Sequence, residues 1–141
     1  MAARVDFPIR PAVPESALRL LTEAEQGLLD AEQEADPGRR FAKAYLCALR
    51  AAAAILAMRG RPHGGRSRPT SVWTLLSSVA PELREWAAFF AAGSATRASV
   101  QAGITRVVSP RAADDLVRQT GQFIELVRRA IRGTSPHNYK R

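Results

Sequence analysis

The chain has 141 residues, a net charge of +8 and a single cysteine, Cys47. That length points to one domain, and one cysteine excludes an intramolecular disulfide and a cysteine-based zinc cluster. Two histidines, His63 and His137, leave little material for a metal site, so neither a metal nor a cofactor is expected.

Alanine supplies 26 residues and aromatics only 9, which predicts a core of small and aliphatic side chains. The longest uninterrupted apolar run, Ala51 to Met58, is too short to span a bilayer. Residues 1–10 contain Asp6 and Pro8 and lack the apolar stretch of a secretory signal. A soluble, cytoplasmic, mostly helical domain is therefore expected, with no membrane partner. The charge is uneven: residues 1–36 carry 3 basic and 8 acidic side chains, whereas residues 37–141 carry 18 and 5. An acidic segment of this kind could fold back on the basic remainder. Because 19 of the 21 basic residues are arginine and alanine is abundant, a GC-rich coding bias accounts for part of the excess. A basic balance permits an anionic partner without proving one.

Residues 1–13, with Pro8 and Pro11, read as an extended lead-in, 14–133 as one helical-bundle domain, and 134–141 as a flexible C-terminal tail. The first helix is expected from about Pro14 to Ala35, with Leu18, Leu21, Leu28 and Leu29 as its apolar stripe. Its acid run from Glu23 to Asp36 reads as a solvated face. Asp36-Pro37 is a helix start, a carboxylate cap followed by proline at the first helical position. The helix it opens, about 37–59, is apolar nearly all round, leaving only Lys43, Cys47 and Arg50 as a polar-edge stripe. It belongs in the middle of a bundle, and its surplus apolar surface suggests a homodimer. Cys47 sits between two cations, a setting that could lower a thiol pKa, although a small residue at a packed helix edge is the plainer reading.

Gly60 to Thr70 is the one long loop, with three glycines and two prolines. Ser71 caps a short helix, and Leu83, Trp86, Phe89 and Phe90 continue a buried face. Trp73 and Trp86 read as core residues. From Ala87 to Gly103 the side chains are mostly small. Ser109-Pro110 repeats the cap-plus-proline signal and opens a last helix that ends near Arg132, before Gly133. Nothing alternates with a period of two, so the fold class is all-α: an up-and-down bundle of four to five helices. Tyr45, Leu49, Leu56, Leu76, Trp86, Phe90, Phe123 and Val127 are expected to be buried together.

Two segments could carry chemistry. The loop from Arg59 to Arg68 places Arg59, Arg61, Arg66 and Arg68 around His63 with no acidic residue, a natural attractor of phosphate. No aromatic lies within it, so it lacks the stacking platform of a sequence-selective single-strand binder; the plainer reading is a solvated connector. In the tail, Arg132 precedes His137 by five positions and Tyr139 follows. A guanidinium to hold a phosphate and an imidazole to move the proton of a ribose hydroxyl make a minimal ribonuclease kit. A fraying terminus does not position such groups unaided.

The helix Phe41-Ala-Lys-Ala-Tyr-Leu-Cys-Ala-Leu-Arg50 through Met58-Arg-Gly60, followed by the basic loop, Ser71-Val-Trp-Thr-Leu-Leu76 and Pro81-Glu-Leu-Arg-Glu-Trp86, resembles the HEPN superfamily over about residues 36–132. It looks most like a small stand-alone branch from high-GC bacteria. The resemblance implies a bundle of four or five helices, often dimeric. Many HEPN proteins are metal-independent ribonucleases whose Arg-x(4–6)-His pairs meet across a dimer interface; others have lost the motif and bind nucleic acid or protein. Arg59 and His63 are one residue too close for that pattern, while Arg132, His137 and Tyr139 fit it. The expected function is a HEPN-like protein that binds RNA, DNA or another phosphate-rich partner through the Arg59–Arg68 loop, without robust catalysis. The alternatives are a protein-interaction module with no nucleic-acid role, and a metal-independent ribonuclease using Arg132 and His137.

Overall fold

Local capping starts three of the helices where the sequence places them. The computed structural model describes residues 12–60 and 71–133. Helix α1 spans Glu15–Gln33, and α2, Pro37–Arg59, begins where Asp36 Oδ2 accepts the Arg39 amide at 2.8 Å. Helix α3, Val72–Val79, begins where Ser71 Oγ accepts the Thr74 amide at 3.1 Å. A 3-10 turn, Pro81–Leu83, leads into α4, Arg84–Ala92, and Gly93 alone separates that helix from α5, Ser94–Gln101. The last helix, α6, Pro110–Arg132, is capped by Ser109, whose Oγ accepts the Ala112 amide at 3.0 Å. Each such cap satisfies an amide that the first helical turn leaves without a partner. Among the described residues there is no strand. With α4 and α5 taken as one interrupted helix, the fold is the expected all-α bundle of five.

Cross-helix pairs fix the directions. Lys43 meets Asp30, Arg50 meets Glu23, and Cys47 lies against Gly27, so α1 and α2 are antiparallel. Arg40 of α2 meets Asp114 near the start of α6, so those two helices are parallel. Between them, α3 runs from Trp73 at Tyr45 to the turn at Glu82, which meets Arg59, and α4 and α5 run back up α2: Phe90 pairs with Tyr45, and Thr105 lies against Gly38. This is an up-and-down arrangement.

Two kinds of packing hold it. Between α1 and α2 the seam is built from Ala17, Leu21, Ala24 and Ala31 on one side and Ala44, Ala48, Ala51 and Ala52 on the other, all buried. The leucine stripe expected for α1 is therefore corrected. Leu21 is buried, Leu18 and Leu28 are half-buried, and Leu29 is 64 % exposed. The helices approach too closely for leucine at every seam position; a Cβ added at Gly27 would lie 2.8 Å from Cys47 Sγ. The acid run of α1 is also more than a solvated face. Glu23, Asp30 and Glu34 pair with Arg50 and Lys43 of α2, and Glu25 faces Arg128 of α6. The Glu34 carboxyl is held down to about 2, chiefly by the hydrogen bond from Lys43 and then by the Asp36 amide. At the same end, Arg40 Nη1 donates to the Glu34 carbonyl at 2.8 Å and the Ala35 carbonyl at 3.2 Å, closing the C-terminus of α1.

On the other side of α2 the packing is aromatic. Trp73 stacks on Phe90 with centroids 5.0 Å apart, and Phe90 and Trp86 contact Phe123 at 5.1 and 5.5 Å. Buried Tyr45 donates its hydroxyl to the Phe90 carbonyl at 2.8 Å and accepts Trp73 Nε1 at 3.0 Å, which satisfies three polar groups away from water. That carbonyl is free to accept because the helix stops two residues on; the Gly93 amide bonds back to it at 2.9 Å. Of the expected core, Tyr45, Leu56, Leu76, Phe90, Phe123 and Val127 are buried, while Leu49 and Trp86 are half-buried against it.

By length and composition α2 is apolar enough to cross a bilayer, with a mean hydropathy of 1.5 in its most apolar window; 56 % of that window is buried by the rest of the bundle. Its apolarity is that of a core helix, covered by α1, α3, α5 and α6. The apolar surplus read from its sequence is thus used within the fold, with Leu46 its one exposed large aliphatic side chain.

Candidate phosphate-binding pole

The helix directions bring three chain ends to one end of the bundle: α1 starts there after Pro14, α2 ends there at Gly60 and α6 ends there at Gly133. The turn after α3 joins them through Glu82, which meets Arg59, whereas α3 begins lower, where Trp73 meets Tyr45 and Phe90. Gly60 and Gly133 have φ of 86° and 79°, left-handed values that glycine adopts without strain. The basic loop and the tail therefore leave the bundle at the same pole. Of the loop, Arg59 is described; Arg61, His63, Arg66 and Arg68 lie outside the described residues. Of the tail, Arg132 is described, and His137 and Tyr139 lie outside. The structure thus brings Arg59 and Arg132 to one pole.

Both are already engaged. Arg59 Nη1 lies 2.7 Å from Glu82 Oε2. The Glu82 carboxyl is held below its ordinary range by its own backbone amide first and by Arg59 second. Arg132 Nη1 is 3.9 Å from Glu25 Oε1, a loose pair that orients the guanidinium toward α1. Along α6, Arg128 forks onto Glu125 and also faces Glu25, while Arg129 reaches Glu125 at 3.3 Å. Arg128 holds the Glu125 carboxyl below its ordinary range. The charge of the last helix is therefore largely neutralised in place.

Sequence reasoning missed two cations of this pole, Arg19 on the first turns of α1 and Arg84 at the start of α4. Both are exposed, and neither meets a carboxylate among the described residues. No local motif marks them; only the path of the chain brings them to the same end of the bundle as Arg59. Cys47 is removed from consideration as a nucleophile. It is 1 % exposed, and burial pushes its thiol up to about 11, away from the reactive thiolate. Trp73 is buried core. Among the described residues no cluster of three metal-ligating side chains exists.

A family model described as HEPN_SAV_6107-like HEPN matches residues 31–128. The chain belongs to that HEPN family. No curated protein and no solved structure matches it. The HEPN match takes in α2, the basic loop and most of α6, and it ends before Arg132. The loop thus lies inside the part of the chain that defines this HEPN protein, and the Arg132–His137 segment lies outside it.

Proposed function

We propose that this HEPN protein binds a phosphate-rich polymer, RNA or DNA, at the pole where the basic loop leaves the bundle, and that it does so without robust catalysis. The observation that supports the reading is topological. Gly60, where the loop leaves α2, lies at the end of the bundle where α1 begins and carries exposed Arg19 and where α4 begins with exposed Arg84. Arg128, Arg129 and Arg132 of α6, by contrast, are paired with Glu125 and Glu25. Positive charge not spent on internal carboxylates is present at this end beside the four arginines of the loop sequence, which is what attraction of a polyanion requires.

The pairing of Arg59 bears on the expected size of the effect. Arg59 gives up Glu82 if it is to meet a phosphate, so its net contribution is small and Arg61, Arg66 and Arg68 carry the loop's share. Three arginines replacing counterions give a slope of log affinity against log salt of about −2.7 on duplex DNA and about −2.1 on single strands. The test is binding of the full chain to labelled RNA and duplex DNA at several salt concentrations. The double replacement Arg61→Ala with Arg66→Ala is expected to remove about two-thirds of the slope and leave helicity unchanged. The pair Arg128→Ala with Arg129→Ala is the control, expected to leave the slope nearly intact because both side chains are held by Glu125. No salt-dependent binding at all would overturn the proposal in favour of a protein-interaction module. Robust metal-free cleavage of RNA, lost in both Arg132→Ala and His137→Ala, would establish the ribonuclease instead.

A further inference from the structure

Helices α4 and α6 run side by side without close backbone approach; they meet through Trp86, Phe90 and Phe123. The gap is a groove made of two cavities that share Phe89. One, of about 350 Å3, is floored by Phe41, Tyr45, Phe90 and Leu116 with Asp115 at its edge; the other, of about 310 Å3, lies against Trp86, Glu85 and Gln119. Phe89 is 45 % exposed at their junction. A scattered exposed apolar side chain is ordinary, but a half-exposed phenyl ring over an aromatic groove marks a docking surface. The edges carry Glu85 on α4, which meets no cation among the described residues, and Asp115 on α6, which already holds Arg118 at 3.1 Å, on a chain whose net charge is +8.

The complement lies on the same molecule. The connection from α5 to α6 exposes Ile104 by 49 % and Val107 by 53 %. Arg106 lies between them and Arg111 follows on the first turn of α6. Both arginines are exposed, and neither meets a carboxylate among the described residues. This connection joins α6 at Ser109, three positions before Ala112, which lines the upper end of the groove. Acceptor and donor are therefore neighbours near the start of α6. Under a two-fold axis, each copy can offer its groove to the other's connection, the self-complementary arrangement of an isologous dimer.

We propose that the α4–α6 groove seats the α5–α6 connection of a second copy of this chain. Ile104 and Val107 cover Phe89 and Trp86, and Arg106 and Arg111 face Glu85 and share Asp115 with Arg118. The proposal is independent of the phosphate-binding reading, since the groove and the pole share no residue. It also moves the self-association surface away from α2, whose apolar face the bundle already covers.

The test is the solution mass of the full chain from about 1 to 200 μM, by sedimentation and light scattering. Doubling of the mass with concentration is expected. Phe89→Lys and Val107→Glu change exposed positions, and each should weaken association at least tenfold while helicity is unchanged. Mixed in equal amounts, the two variants keep one native groove–connection contact. In the other contact the introduced lysine faces the introduced glutamate, so the mixture should associate more tightly than either variant alone. Leu29→Glu, at an exposed leucine on α1, should change nothing. A wild-type chain that is monomeric throughout, variants that leave the midpoint unmoved, a mixture no better than its components, or dissociation by Leu29→Glu would each overturn the proposal.

Discussion

The two sides of α2 are built on opposite principles. Toward α1 the contact is a seam of alanines flanked by ion pairs, with no room for an added methyl group at Gly27. Toward α3 and α4 it is a cluster of large rings, joined by Phe123 of α6, that holds α4 away from α6 and leaves a groove between those two helices. Small residues stabilise by dispersion over many close contacts and tolerate no growth. Rings bury more area each, so fewer contacts suffice and surface is left unfilled. The first side is a closed scaffold, and the second is where the fold has surface to offer.

That contrast predicts a ranking of damage. The largest loss belongs to the aromatic side: Phe123→Ala removes a fully buried ring that touches Trp73, Trp86 and Phe90, and should cost about 3–5 kcal/mol in denaturant unfolding. A loss under about 1 kcal/mol would mean that the cluster is loosely packed and that the contrast is false.

The seam should fail by growth rather than by truncation. Gly27→Ala gains about 1 kcal/mol of helix propensity and meets Cys47 Sγ at 2.8 Å, an overpacking that costs about 1–3 kcal/mol. Net destabilisation is expected, and it should be recovered when Cys47→Ala is added to make room. A stabilised single variant would show that the seam gives way easily.

The smallest effect concerns pH and falls on the ion pairs bordering the seam. Glu34 has its folded pKa depressed from 4.5 to about 2, so its contribution is complete above about pH 4.5 and is lost as pH falls toward 2. Thermal unfolding of wild type and Glu34→Gln should therefore differ near neutrality and converge between pH 4.5 and 2. Parallel pH profiles would show that the Lys43 pair adds nothing.

What the sequence makes legible divides along chemical lines. Helix starts at Asp36, Ser71 and Ser109 are readable because a cap is decided by neighbouring residues. The central place of α2 is readable from its apolar circumference. The seam is misread because hydrophobic periodicity gives leucine more weight than alanine, whereas close helix approach selects for small size. That leaves Leu29 outside and Ala24 and Ala31 inside. The break at Gly93 is accompanied by a hydrogen bond to the Phe90 carbonyl from a hydroxyl on another helix, Tyr45, a partner that no local pattern reveals. At the pole, the loop arginines are visible as charge. The pairing of Arg59 with Glu82 spans a loop and a helix, and the presence of Arg19 and Arg84 nearby follows only from the path of the chain.

Cys47 turns the closed side of the molecule into its own gauge. Its sulfur lies beneath Gly27, and its thiol is pushed up to about 11 by burial, so alkylation requires α1 to lift away from α2 and water to reach the site. The rate at which a thiol reagent consumes the native protein is then a clock for separation of the first hairpin. With no second cysteine in the chain to compete for reagent, that clock reads a single event.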